Sequence, residues 1–77
     1  MKIIISENAE KELLALDKKL IEIFKKHIEK ITQVPPRKHL KFGLPFNVES
    51  VTKQGRIIFQ IEENTLYILH CFSTHKE

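Results

Sequence analysis

The sequence predicts one α+β domain over residues 1–77, with two N-terminal helices packed on an antiparallel sheet in the order β-α-α-β-β-β. Three observations predict it. Residues 7–33 carry two stretches of apolar residues at helical spacing, each preceded by a capping residue. Pro35 and Pro36 end that periodicity. From residue 46 onward the chain reads as three short β-rich runs separated by turn residues.

Residues 2–5 (Lys-Ile-Ile-Ile) form a β-branched run that suits a strand, placed at an edge of the sheet. Ser6 is a helix N-cap, and Glu7 and Glu10 fall in the first turn, where negative charge favours the helix dipole. Ala9, Leu13 and Leu16 repeat along one face, giving a helix from residue 7 to about residue 16. Asp17 caps a second helix that runs to about Gln33. On that helix Leu20, Ile21, Ile23, Phe24, Ile28 and Ile31 fill an arc of roughly 160°. Lys18, Glu22, Lys25, Lys26 and Glu29 form the solvated side. Residues 35–45 read as loop. Residues 46–51 alternate, with Phe46, Val48 and Ser50 on one face and Asn47, Glu49 and Val51 on the other. Residues 52–55 make a turn, 56–62 a strand, 63–65 a tight turn and 66–72 the last strand. These two final strands are apolar on both faces, as expected for central strands covered on both sides.

Composition narrows the function classes. Hydrophobic residues make up 42% and charged residues 30%, a globular balance. Cys71 is the only cysteine, which rules out an intrachain disulfide and suits a reducing cytoplasm. No apolar run is long enough for a membrane span or signal-peptide core. Thirteen Lys and Arg against ten Asp and Glu give a formal charge of +3. Arg37, Lys38, His39 and Lys41 gather in one Pro-bounded segment without an acidic residue. Such a patch attracts RNA or another phosphate and loses that attraction in salt; the same composition also describes a solvated loop.

No Gly-rich phosphate loop, zinc-binding His-Glu-x-x-His or serine elbow is present, and nothing calls for a cofactor. His27 lies within the apolar arc of the second helix and reads as a packed or edge histidine. His70 alternates with Ile68 and Phe72 and reads as structural. A metal site from His70, Cys71 and His75 is disfavoured, because neighbouring strand residues point to opposite faces. Cys71 reads as a buried small hydrophobe. The candidate chemistry is spatial. A last hairpin in simple register about Asn64 sets Arg56 against Phe72 and Ser73, and so towards His75 and Lys76. Arginine can fork onto a phosphate and stabilise charge in a transition state. A histidine can exchange a proton near neutral pH. The alternative is ordinary surface charge at a strand end.

Four segments together resemble the RelE/ParE superfamily of toxins. They are Leu13-Leu14-Ala15-Leu16-Asp17-Lys18-Lys19, the proline loop leading to Leu40-Lys41-Phe42-Gly43, Gly55-Arg56-Ile57-Ile58-Phe59-Gln60-Ile61, and Phe72-Ser73-Thr74-His75-Lys76-Glu77. The resemblance implies the toxin of a type II toxin–antitoxin system with a cognate antitoxin as partner. For RelE-like members it implies mRNA cleavage on the ribosome, in which a 2′-hydroxyl attacks the adjacent phosphate with help from Lys, Arg and a C-terminal Tyr. Arg56 matches the arginine that opens the strand after the turn, and Lys76, preceded by His75, matches the basic residue beyond the last strand. Asn47 and Glu49 stand on the strand where typical nucleases present two lysines, and no tyrosine follows the last strand. The resemblance therefore also admits a ParE-like inhibitor of DNA gyrase or a catalytically degenerate binding module.

Overall fold

The computed structural model describes residues 1–33 and 46–73. Strand β1 (Lys2–Ile5) leads through Ser6 into helix α1 (Glu7–Leu14), and helix α2 (Lys18–Gln33) follows. The remaining elements are β2 (Asn47–Ser50), β3 (Gly55–Glu62) and β4 (Thr65–Ser73). The predicted element order holds throughout.

Both caps act as the sequence predicts. Ser6 Oγ accepts from the Ala9 amide at 3.0 Å, and Asp17 Oδ1 accepts from the Leu20 amide at 2.9 Å, so each helix start has a donor satisfied. Phe24, Ile28 and Ile31 of α2 are buried, while Ile23, at the margin of the arc, stays 37% exposed. Ala9 and Leu13 of α1 join them over Ile57, Phe59, Leu66, Ile68 and Cys71 on one face of the sheet. Removing those apolar surfaces from water is the main favourable term holding the layers together.

The sheet runs β1-β4-β3-β2. The hairpins make β2, β3 and β4 antiparallel, whereas β1 runs parallel to β4 at the edge. The sheet is thus mixed, because the two helices and β2 separate β1 from the hairpin pair and supply the long crossover that a parallel neighbour needs. The central positions predicted for β3 and β4 are borne out. The cover expected on both faces is found on one: the helices pack there, and among the described residues nothing packs as a layer on the other.

The last hairpin turns on Glu63 and Asn64, whose φ values of 49° and 62° give the left-handed pair that suits a two-residue connection. Counting back from Glu62↔Thr65, plain alternation would set Arg56 opposite Cys71. A β-bulge at Leu69, between the pairs Phe59↔Ile68 and Ile58↔His70, adds one residue and moves the partner of Arg56 to Phe72. The expected juxtaposition is correct, but the bulge creates it. The bulge also corrects one expectation. His70 does not share a face with Ile68: Ile68 is buried under the helices, while His70 pairs with Ile58 on the other side.

Candidate functional site

The site begins at the turn before β3. The Val51 amide donates to the Gly55 carbonyl at 2.9 Å, and the Gly55 amide donates to Thr52 Oγ1 at 2.9 Å, closing the turn from both sides. Gly55 is required there by close approach. A Cβ at this position would lie 2.7 Å from Thr52 Oγ1 and 3.1 Å from the Phe24 ring. Arg56 follows, and its Nη1 donates to the carbonyls of Gly55 (2.9 Å), Thr52 (3.1 Å) and Lys53 (3.2 Å). A guanidinium held by backbone carbonyls loses side-chain freedom without having its charge offset. Among the described residues no carboxylate is ion-paired with it.

Arg56 lies across from Phe72, and Ser73 lies across from Gly55, so β4 ends at the rim where Arg56 is anchored. Of the residues the sequence offers for catalysis or phosphate binding, Arg56 is the one within the described residues. His75 and Lys76 lie outside them, as do Arg37, Lys38, His39 and Lys41.

Strand β2 sorts its residues as the alternation predicts, and this changes the comparison made for Asn47 and Glu49. Both face the helix layer, opposite Phe59 and Ile57, whereas Val48 and Ser50 share the face of Arg56. Glu49 Oε2 lies 3.0 Å from His27 Nδ1 and 3.1 Å from Lys30 Nζ, tying β2 to α2. Burial raises the Glu49 pKa, but the hydrogen bonds from His27 and Lys30 and their charges outweigh it, and the carboxyl sits below its ordinary value. The acid on β2 therefore fastens a helix. On the face of Arg56, β2 offers an exposed Val48 and a serine, and no cation.

The same face carries a trough of about 630 Å³ lined by Ser6, Asn8, Phe46, Ile58, Leu69, His70 and Phe72. The bulge builds its wall. Ser6 Oγ donates to the Leu69 carbonyl at 2.9 Å while the Ser6 amide donates to that of Ile68 at 2.9 Å. Glu12 Oε1 accepts from the Cys71 amide at 3.0 Å, and His70 Nδ1 lies 3.2 Å from the same oxygen. Two polar side chains from the start and middle of α1 thus satisfy backbone groups of β4 around the bulge. Cys71 is fully buried, as expected for a small hydrophobe, and burial with the nearby Glu12 charge pushes its thiol up to about 11. Sequence reasoning missed the trough, the His70–Glu12 contact and the shared exposure of Phe46 and Phe72. The available signal was the alternation that put Phe46 with Val48; the bulge hid the rest. Among the described residues no cluster of three or more His, Cys, Asp or Glu could hold a metal ion, and no helix is long and apolar enough to cross a membrane.

Two helices on one face of a four-stranded mixed sheet, in this order, define the RelE/ParE-like toxin fold. The isolated RelE toxin of Escherichia coli superposes at TM-score 0.82 with 16% identity, over 99% of this chain and 86% of that one. A chain of the intact E. coli RelBE toxin–antitoxin complex gives TM-score 0.82 at 16% identity, over 97% and 98% of the two chains. A YoeB/ParE toxin from Agrobacterium tumefaciens gives 0.80 at 14% identity, over 97% and 100%. At such identities the likeness is one of fold. No protein-family model and no curated protein matches the sequence.

Proposed function

We propose that the chain is the toxin of a type II toxin–antitoxin pair, acting in the cytoplasm as a RelE-like endonuclease that cuts mRNA on the ribosome. The observation that carries this reading is Arg56: its guanidinium is fixed by three carbonyls, faces no carboxylate partner among the described residues, and stands at the end of the sheet where β4 ends. In the reaction a ribose 2′-hydroxyl attacks the adjacent phosphorus and the bond to the 5′-oxygen breaks, leaving a 2′,3′-cyclic phosphate and a 5′-hydroxyl. Arg56 stabilises the negative charge that builds on the non-bridging oxygens. His75 and Lys76, next along the chain, are the proposed groups for the proton leaving O2′ and the proton arriving at O5′. Arg37, Lys38, His39 and Lys41 are proposed to hold the RNA backbone. A cognate antitoxin is the proposed protein partner; the fold match to a chain of a toxin–antitoxin complex supports it.

The test is cleavage of a defined message by purified protein with and without programmed ribosomes, with new 5′ ends mapped. Arg56→Ala should lower the cleavage rate about 10²–10³-fold, the size of loss seen when one transition-state donor is removed, and Arg56→Lys should recover part of it. Intact message with folded wild-type protein would refute the nuclease reading. A second reading has its own observation: β2 presents Val48 and Ser50, not cations, beside Arg56. That arrangement favours a ParE-like, non-cleaving inhibitor, and loss of gyrase supercoiling activity on addition of the protein would select it.

A further inference from the structure

We infer that the trough beside Arg56 is a nucleobase-binding subsite, in which Phe46 and Phe72 stack a base and His70 and Asn8 meet its polar edge. The inference rests on the RNA reading above and gives it a second contact point. Phe72 connects the two, since it lies directly across the β3–β4 pair from Arg56 and also lines the trough. A phosphate on the Arg56 guanidinium would place the attached nucleoside over Phe72.

The trough has the composition such a ligand needs. Its volume of about 630 Å³ lies in the range of small-molecule sites, ~300–1,000 Å³, and its floor is apolar. Phe46 and Phe72 are each half-buried, so their rings are supported yet not covered. Base–aromatic stacking tolerates any base, because every base has a π-face. Selectivity must come from the polar rim. There His70 lies with Nδ1 against Glu12, which fixes the ring and leaves Nε2 as the atom available to a ligand. Glu12 is itself held by the Cys71 amide, so the pair is anchored to the bulge. Asn8, whose side chain has no hydrogen-bond partner among the described residues, offers both a donor and an acceptor. A peptide strand would also bury the apolar floor, but the adjoining guanidinium, which has no carboxylate partner among the described residues, favours an occupant that carries a phosphate.

The test uses the full chain without ribosomes and a tri-adenosine ribonucleotide whose 2′-hydroxyls are methylated, so that it binds but cannot be cut. Its comparison is the same oligonucleotide lacking the central base. The base-bearing oligonucleotide should bind at least about fivefold more tightly and shift the NMR signals of Phe46, Phe72, His70 and Asn8. Phe72→Leu and Phe46→Leu should each abolish most of that difference, and His70→Gln, at an exposed position, should reduce it without changing the melting temperature. Equal affinity for the two oligonucleotides, or shifts confined to the Arg56 turn, would overturn the subsite. Cleavage of mRNA together with base-independent binding would sink the subsite and leave the nuclease reading intact. Base-dependent binding with uncut mRNA would do the reverse.

Discussion

The turn that holds Arg56 depends on a missing methyl group, and restoring it should damage both fold and site. In Gly55→Ala the added Cβ would meet Thr52 Oγ1 at 2.7 Å and two Phe24 ring carbons at 3.1 and 3.2 Å. Phe24 is fully buried and cannot swing into solvent, so the ring must press on Ile57 and its neighbours or the turn must lift. Overpacking of this kind costs about 1–3 kcal/mol. Thr52, met at the same time, must move as well, and the bond from the Gly55 amide is then lost, worth about 1 kcal/mol. The combined destabilisation of about 2–4 kcal/mol is large for a domain whose total stability lies near ~5 kcal/mol. Urea unfolding followed by circular dichroism measures it, and the melting temperature should fall by more than about 8 °C. Adding Phe24→Leu to Gly55→Ala should cost less than the two single changes summed, because the ring that causes the clash is gone. A loss below about 0.5 kcal/mol for Gly55→Ala would refute the claim that close approach dictates glycine there.

Further outcomes are expected elsewhere. Glu49 has its pKa lowered in the folded state, so its contribution is present above the ordinary value of 4.5 and disappears as the pH falls through the folded value; Glu49→Gln should therefore lower stability at neutral pH and flatten the acid limb of a denaturation series below about pH 4.5. Ser6→Ala removes the cap of α1 and the bond to the Leu69 carbonyl, and should destabilise by about 1–2 kcal/mol in thermal melts. Replacing Glu63-Asn64 by Asn-Gly relieves two left-handed residues and should stabilise by about 1 kcal/mol with the register unchanged in amide exchange. Cys71, buried and with its thiol pushed up to about 11, should resist alkylation at pH 8 in the folded protein and react at once in urea, followed by mass spectrometry.

Much of this fold is written in local signals. Ser6 and Asp17 mark the helix starts because a short oxygen-bearing side chain is the cheapest partner for an orphan amide, and that preference needs no tertiary context. The alternation of residues 46–51 correctly separated Val48 from Glu49, since strand faces follow from parity alone. What stayed hidden depends on contacts distant in sequence. The parallel pairing of β1 with β4 joins Ile3 to Leu66, and no short-range pattern records it. The partner of Glu49 is likewise invisible, because His27 and Lys30 belong to a helix whose rotation over the sheet is set by packing. For the site, Arg56 was legible from its place after a turn, but its anchorage by three carbonyls was not. The trough was unreadable, since Phe46, Ile58, His70 and Phe72 meet only after the bulge has reset their faces.

That surplus residue in β4 works like a reading frame. Every position after Leu69 shows the side opposite to the one a strict in–out count from Ile68 would assign, so Cys71 points inward and Phe72 outward. Deleting Leu69 itself would leave Ile68 inward, His70 outward, Cys71 inward and Phe72 outward in plain alternation, whereas deleting any other single residue between Ile68 and Phe72 would force the bulge to move or the faces to exchange. In an alignment of such chains, a one-residue gap at Leu69 is therefore the one that keeps inside and outside in place over the rest of the strand.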